Sequence, residues 1–239
     1  MIKVNQVYQT VLYILNKEQR GYVTPEEFNS LATQSQLDIF EKYFEDLNQA
    51  LRMPPNDSEY ANRVKTVQEK IDLFESSEVL GSTKTLSANV HRLGTLQYTE
   101  TGKLPQELEQ MTTHDLLLAQ RSKLTAPTKS FPAFSIQGKV INISPSTISG
   151  DDVNVFFVKK PLDPIWGYTL GSVGNFIYNS NAYDATTEPN GSRDFEIPSI
   201  DQTELILKIL MYTGVIIRDP SIVQTAASMV AQEDQNEKT

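Results

Sequence analysis

The stretch that decides the fold is Gly21–Leu51, GYVTPEEFNSLATQSQLDIFEKYFEDLNQAL. Thr24, Pro25 and Glu27 form a helix-start signal: a threonine cap, a proline in the first turn and a glutamate three residues after the cap. Phe28, Leu31, Ala32, Ile39, Tyr43, Phe44, Leu47 and Leu51 then recur at steps of three, four and seven, the spacing of one helix face. About 28 residues at ~1.5 Å each give roughly 42 Å, long for a globular helix. Pro54 and Pro55 end it, because proline cannot continue a helical hydrogen-bond ladder.

Upstream, Val4, Val7, Tyr8, Val11, Leu12 and Leu15 predict a helix over 4–17 with Gly21 as its stop. Downstream, Tyr60, Val64, Val67, Ile71 and Phe74 predict a third helix over 58–74. The first 80 residues therefore read as a helical bundle with short connections. At Gly81 the texture changes to Thr, Ser, Gly and Pro with short alternating runs. Strands are expected at 93–98, 151–160, 165–170 and 173–180, a hairpin over 134–143 turning at Gly138, and a short helix over 113–124 capped by Thr113. Residues 181–193, NAYDATTEPNGSR, read as a mobile loop. Helices return from Ile200. Residues 201–213 are apolar on most of their circumference, which calls for burial on more than one side, and Asp219 and Pro220 open a last helix.

The expected fold class is α+β. A helical bundle spans 1–80, an antiparallel β-rich domain 81–199, and C-terminal helices over 200–232 return to pack on the bundle. Residues 233–239, a polar run, are expected to be disordered.

The chain has 239 residues, 21 Lys+Arg against 30 Asp+Glu, and net charge −9. That balance argues against broad binding to phosphate backbones. Residues 1–80 hold 8 basic and 13 acidic side chains, and residues 81–200 hold 10 and 11. The absence of cysteine removes disulfides and thiolate metal sites from consideration. Asn5, Gln6, Gln9 and Thr10 interrupt the first apolar run, so no secretory leader is read there. No apolar run reaches the length of a membrane span, and no membrane partner is expected.

Motifs that carry chemistry are few. Asn16–Glu27 has calcium-loop spacing, with Gly21 sixth and Glu27 last, but Arg20 takes the place of an oxygen ligand and position one lacks its Asp. A helix stop followed by a helix start is the better reading. His91 and His114 stand 23 residues apart without carboxylate or histidine neighbours at ligand spacing. Gly171–Gly174 reads as a turn between strands rather than a phosphate cradle, and Lys159–Lys160 as a solvated strand end. Catalytic, metal and cofactor-binding residues are expected to be none, and the chain is read as no enzyme. Trp166, between Pro161, Pro164 and Tyr168, is read as a core or loop anchor, or as an interface anchor.

Three segments, YQTVLYILNKEQRGYVTPEEFNSLATQSQLDIFEKYFEDLNQ, FFVKKPLDPIWGY and TELILKILMYTGVIIRDPSIVQTAA, together resemble structural proteins of short-tailed bacteriophages, including crAss-like phages. They cover roughly a third of the chain. The resemblance implies a virion protein, in size and layout a head-to-tail connector: a ring of about twelve identical copies stacked below the portal around the DNA channel. It implies self-association, contacts with the portal and neighbouring tail proteins, and DNA passing without specific binding. An acidic channel lining would let DNA slide. The alternatives are another virion position, such as tail tube, nozzle or capsid-associated protein, and last a non-structural binding protein. Candidate subunit-interface residues are Asn29, Gln36, Glu41 and Glu45, placed on the outer face of the long helix, together with Trp166 and Tyr168.

Overall fold

The Thr24 signal forms as its chemistry dictates. In the computed structural model, which describes residues 1–17, 22–52, 62–100, 102–216, 224–225, 227–232 and 235, the Glu27 backbone N–H donates to Thr24 Oγ1, and Glu27 Oε2 accepts from the Thr24 backbone N–H at 2.9 Å. The Thr24 N–H, and after it the Thr24 hydroxyl, which also donates to Glu27 Oε2, hold the Glu27 carboxyl below its ordinary range. Helix α2, Pro25–Ala50, starts there and runs 26 residues. Leu51, counted in its apolar stripe, falls past its end and is exposed. The calcium-like spacing at Asn16–Glu27 includes residues 18–21, which lie outside the described residues.

The chain is α+β and divides into two compact units, 1–70 with 161–239, and 71–160. This partition corrects the expected boundaries at 81 and 200. The sequence 75–79 is not helical: it is a strand, β1, paired along its length with β7. Residues 161–199 belong with the helices, because Trp166, Phe195 and Ile197 are buried there.

In the first unit, α1 (Val4–Lys17) buries Val4, Val7, Tyr8, Val11 and Leu15. Its first turn lies beside a residue far along the chain: the Asp194 carboxylate accepts from Val4 N at 3.0 Å and pairs with Lys3 at 2.7 Å. An acceptor at a helix N-terminus satisfies an otherwise orphaned donor. Helix α5, Gln202–Ile216, packs against α1 and α2 through Leu205, Ile209 and Leu210. Its nearly all-round apolar sequence therefore finds two partners. Buried charges at its start are paired. Tyr43 Oη donates to Asp201 at 2.5 Å, Lys70 Nζ lies 2.8 Å from the same carboxylate, and Lys42 Nζ is 3.1 Å from Glu204. Residues 224–232 are helical where described, with exposed side chains apart from half-buried Val230. The return onto the bundle is thus the work of α5. The expected start of the last helix at Asp219 and the tail, apart from Gln235, lie outside the described residues. Helix α3 occupies Arg63–Asp72. Its expected beginning at Ser58 falls within 53–61, also outside them.

The second unit is a β structure. One sheet has the order β1-β7-β2-β3 and the other β4-β5-β6. The strands are β1 Glu75–Val79, β2 Val90–Tyr98, β3 Gln106–Glu107, β4 Glu109–Gln110, β5 Ala133–Gln137, β6 Val140–Ser144 and β7 Val153–Lys159. Helix α4, Thr113–Arg121, joins β4 to β5, and its cap is Thr112 rather than Thr113. Buried Leu108 separates β3 from β4, so the chain changes sheets at that side chain. Strand β7 alternates as its sequence predicts: Val153, Val155 and Phe157 point inward, and Phe156 outward. Those three join Leu96, Phe134 and Ile141 in one core shared by both sheets. All strand pairs of this unit are antiparallel except β4 with β5.

Candidate interaction surfaces

The proline-rich segment 161–168 is laid on α2 by two amide side chains. Pro161 and Pro164 lack N–H groups, which keeps the segment from pairing as an ordinary strand. Asn29 supplies both halves of a peptide group instead. Its Oδ1 accepts from Trp166 N at 2.7 Å, and its Nδ2 donates to Trp166 O at 3.4 Å. Gln36 does the equivalent one step along: Nε2 donates to Leu162 O at 2.8 Å, and Oε1 accepts from Glu196 N at 3.1 Å. The Glu196 carboxylate in turn accepts from Leu162 N at 2.9 Å.

Trp166 is buried. Its indole N–H donates to Asn5 Oδ1 at 3.0 Å, and its ring packs on Tyr8 at 4.4 Å and Tyr178 at 5.6 Å between centroids. Tyr8 Oη donates to Val23 O, and burial pushes this phenol well above its ordinary pKa. Tyr168 is half-buried and donates to Glu26 at 3.3 Å. These placements bury Gln36 and Trp166 and leave Asn29 and Tyr168 half-buried. Asn29, Gln36 and Trp166 are spent on contacts within one unit, and Tyr168 is tied to α2. Glu41 and Glu45 are exposed. The outer-face placement fails for Gln36, which is buried because both ends of its amide find backbone partners.

From this aromatic base rises a two-stranded hairpin, β8 Tyr168–Leu170 and β9 Phe176–Tyr178. Its turn uses Gly174 at φ 79°, a left-handed conformation suited to glycine. At the base, a side chain on Gly167 would stand 2.3 Å from the carbonyl oxygens of Asn190 and Gly191, so only glycine lets these backbones meet. Residues 181–193, expected to be a mobile loop, are cross-braced. Asp184 Oδ1 accepts from the Thr186 and Thr187 N–H groups, Asn179 donates to Glu188 at 2.8 Å, and Arg193 sits over the Tyr183 ring. A cleft of about 570 Å³ between α1 and the hairpin is lined by Gln9, Tyr22 and Phe176 among others.

The hairpin has no charged residue between 168 and 178. Its outer part presents Leu170 at 68% and Ile177 at 48% exposure on opposite faces of the ribbon, and Val173 at 91% in the turn between the strands. The second unit has its own exposed apolar surface at α4 and the turn after it. Leu116 faces inward, while Leu117, Leu118, Leu124 and Phe131 face solvent, the last two at 94% and 82%. Three successive leucines in THDLLLAQR cannot share one helix face, and that signal was open to a reader of the sequence. Arg121, Lys123 and Lys129 accompany them, against Asp115 alone within 113–131.

The charge is divided with the same sharpness. The first unit holds 12 basic and 21 acidic residues and so carries the entire −9, while the second holds nine of each. His91 and His114 are both exposed. Among the described residues no three metal-ligating side chains gather, and no helix is long and apolar enough to cross a membrane. Compared with known proteins, the chain matches no family model and no curated sequence.

Proposed function

We propose that this protein is a non-catalytic structural subunit of a short-tailed phage virion, forming a ring of the head-to-tail connector around the DNA channel. The observation that carries the reading is the pair of unlike exposed apolar surfaces, one on each compact unit: the β8–β9 hairpin, and α4 with its following turn. Isolated apolar side chains on a surface are ordinary, but several concentrated on one short element point to an interaction site. A two-fold dimer needs one self-complementary patch, whereas a ring needs two different ones, because each copy meets its two neighbours through different surfaces.

The three-segment resemblance supplies the setting, with the portal and adjoining tail proteins as axial partners and about twelve copies per ring. The concentration of −9 on one unit suits a channel wall past which DNA must slide without sticking. Native mass spectrometry and electron microscopy of the purified chain, alone and with the portal protein, test the reading. Closed rings of one defined copy number are expected. A chain that stays monomeric at high concentration and beside the portal overturns it.

A further inference from the structure

Resting on the ring reading, we infer which surface meets which: the uncharged β8–β9 hairpin of one copy docks on the α4 surface, residues 117–131, of the next copy. Four observations carry this.

A two-stranded ribbon is marginal by itself and gains from being covered, and β8–β9 is paired to no third strand among the described residues. Having no charge over 168–178, it can be buried without stranding an ion. The α4 surface offers apolar side chains of matching kind in Leu117, Leu124 and Phe131.

The choice between like-with-like and unlike contact is made by charge. The chain around the hairpin is acidic on balance, with Asp163, Asp184 and Glu188 against Arg193, and its unit carries −9. Hairpin against hairpin would bring two such surfaces together. The α4 surface has Arg121, Lys123 and Lys129, the last facing Glu100 at 4.0 Å, so its basic side chains outnumber the acidic Asp115 and Glu100, and it belongs to a neutral unit. Opposite signs then meet at the rim while the uncharged tip is buried at the centre, the division of labour usual in specific interfaces.

The chain has no cysteine, so engineered thiols report contacts without background. Val173→Cys and Leu124→Cys change side chains more than nine-tenths exposed, and both variants should fold as judged by circular dichroism. Mixed under mild oxidation, they are expected to give a heterodimeric cross-link far exceeding either homodimer. The doubly substituted chain should give a ladder of covalent oligomers. Leu170→Cys with Phe131→Cys serves as the second pair, against an unlucky thiol geometry in the first. Lys123→Glu with Lys129→Glu should weaken assembly at least about tenfold, with a smaller effect at high salt. A Val173→Cys homodimer as abundant as the mixed product overturns the inference in favour of a two-fold contact. Rings seen by native mass spectrometry with neither thiol pair linking overturn it while leaving the ring standing. A folded chain that never oligomerises overturns both.

Discussion

Asn29 clamps Trp166 through both sides of one residue, accepting from its backbone N–H at 2.7 Å and donating to its carbonyl at 3.4 Å. A side-chain amide here plays the part of a neighbouring strand. Asn29→Ala would leave the Trp166 N–H and C=O in a half-buried setting without these partners. A loss of about 1–3 kcal/mol is expected in urea unfolding. Trp166 is the only tryptophan, so its emission reports the same event and should shift to the red. An unchanged midpoint with unchanged emission would show that the clamp contributes nothing.

Lys70 and Asp201 form a pair whose carboxylate is nearly fully buried and whose lysine is 20% exposed. Removing one partner of a buried pair is costlier than removing both. Lys70→Met should therefore destabilise by on the order of 3 kcal/mol, leaving Asp201 with the Tyr43 hydroxyl. Adding Asp201→Asn to that variant should recover part of the loss. A double-mutant cycle by thermal unfolding measures the coupling, and simple additivity would contradict the pairing.

Ser35 lies inside α2 with 0% exposure, and its hydroxyl has no hydrogen-bond partner. Alanine removes an unsatisfied buried group and is the better helix former. Ser35→Ala should raise stability by about 1 kcal/mol. A lower melting temperature for this variant would mean that the hydroxyl is satisfied in solution.

Alkaline pH should unfold the protein through its tyrosines. The Tyr212 phenol donates to Asp38, and that hydrogen bond to a carboxylate, with burial second, pushes its pKa up to about 12. Tyr8 is raised as well, chiefly by burial. A phenol raised in the folded state holds its proton more tightly than in the unfolded chain. Its stabilising effect is complete below the ordinary tyrosine value of about 10 and is lost as pH rises through the folded one. Stability should fall from about pH 10 to about pH 12, and Tyr212→Phe should flatten that slope while Tyr8 preserves a remainder. Denaturant titrations across the window decide it, and a slope that Tyr212→Phe leaves untouched removes Tyr212 from the account.

What the sequence made legible follows from how local each signal is. The α2 start was readable because a capping box is complete within four residues, and β7 because alternation is a two-residue period. The strand at Glu75–Val79 was not, since ESSEV has a single apolar residue and becomes a strand only by pairing with β7. The boundary at Pro161 was hidden for a related reason. Residues 161–199 have the composition of a β domain, and what assigns them to the helices is Trp166 and Phe195 meeting partners more than a hundred residues away. Gln36 sits where a polar residue usually meets water, and only long-range backbone partners pull it inside, while Asn29 stays half-buried. The strands of the hairpin were legible at 165–170 and 173–180, and β8 and β9 form within those ranges; that their outer apolar side chains stay exposed was not, because exposure depends on what else packs there.

Val173 and Phe195 separate folding from assembly. Phe195 is fully buried, and Phe195→Ala should cost about 3–5 kcal/mol whether or not the chain associates. Val173 is 91% exposed at the hairpin turn, so Val173→Asp should leave monomer stability within about 0.5 kcal/mol. If the hairpin is an assembly surface, the same change buries a carboxylate in the contact between copies, and rings should be lost from native mass spectra of a chain that melts normally. Phe195→Ala should instead lower the melting temperature and reduce rings only in proportion to the unfolded fraction. Rings that persist in Val173→Asp would remove the hairpin from the interface, and a melting temperature that falls with Val173→Asp would make it part of the fold.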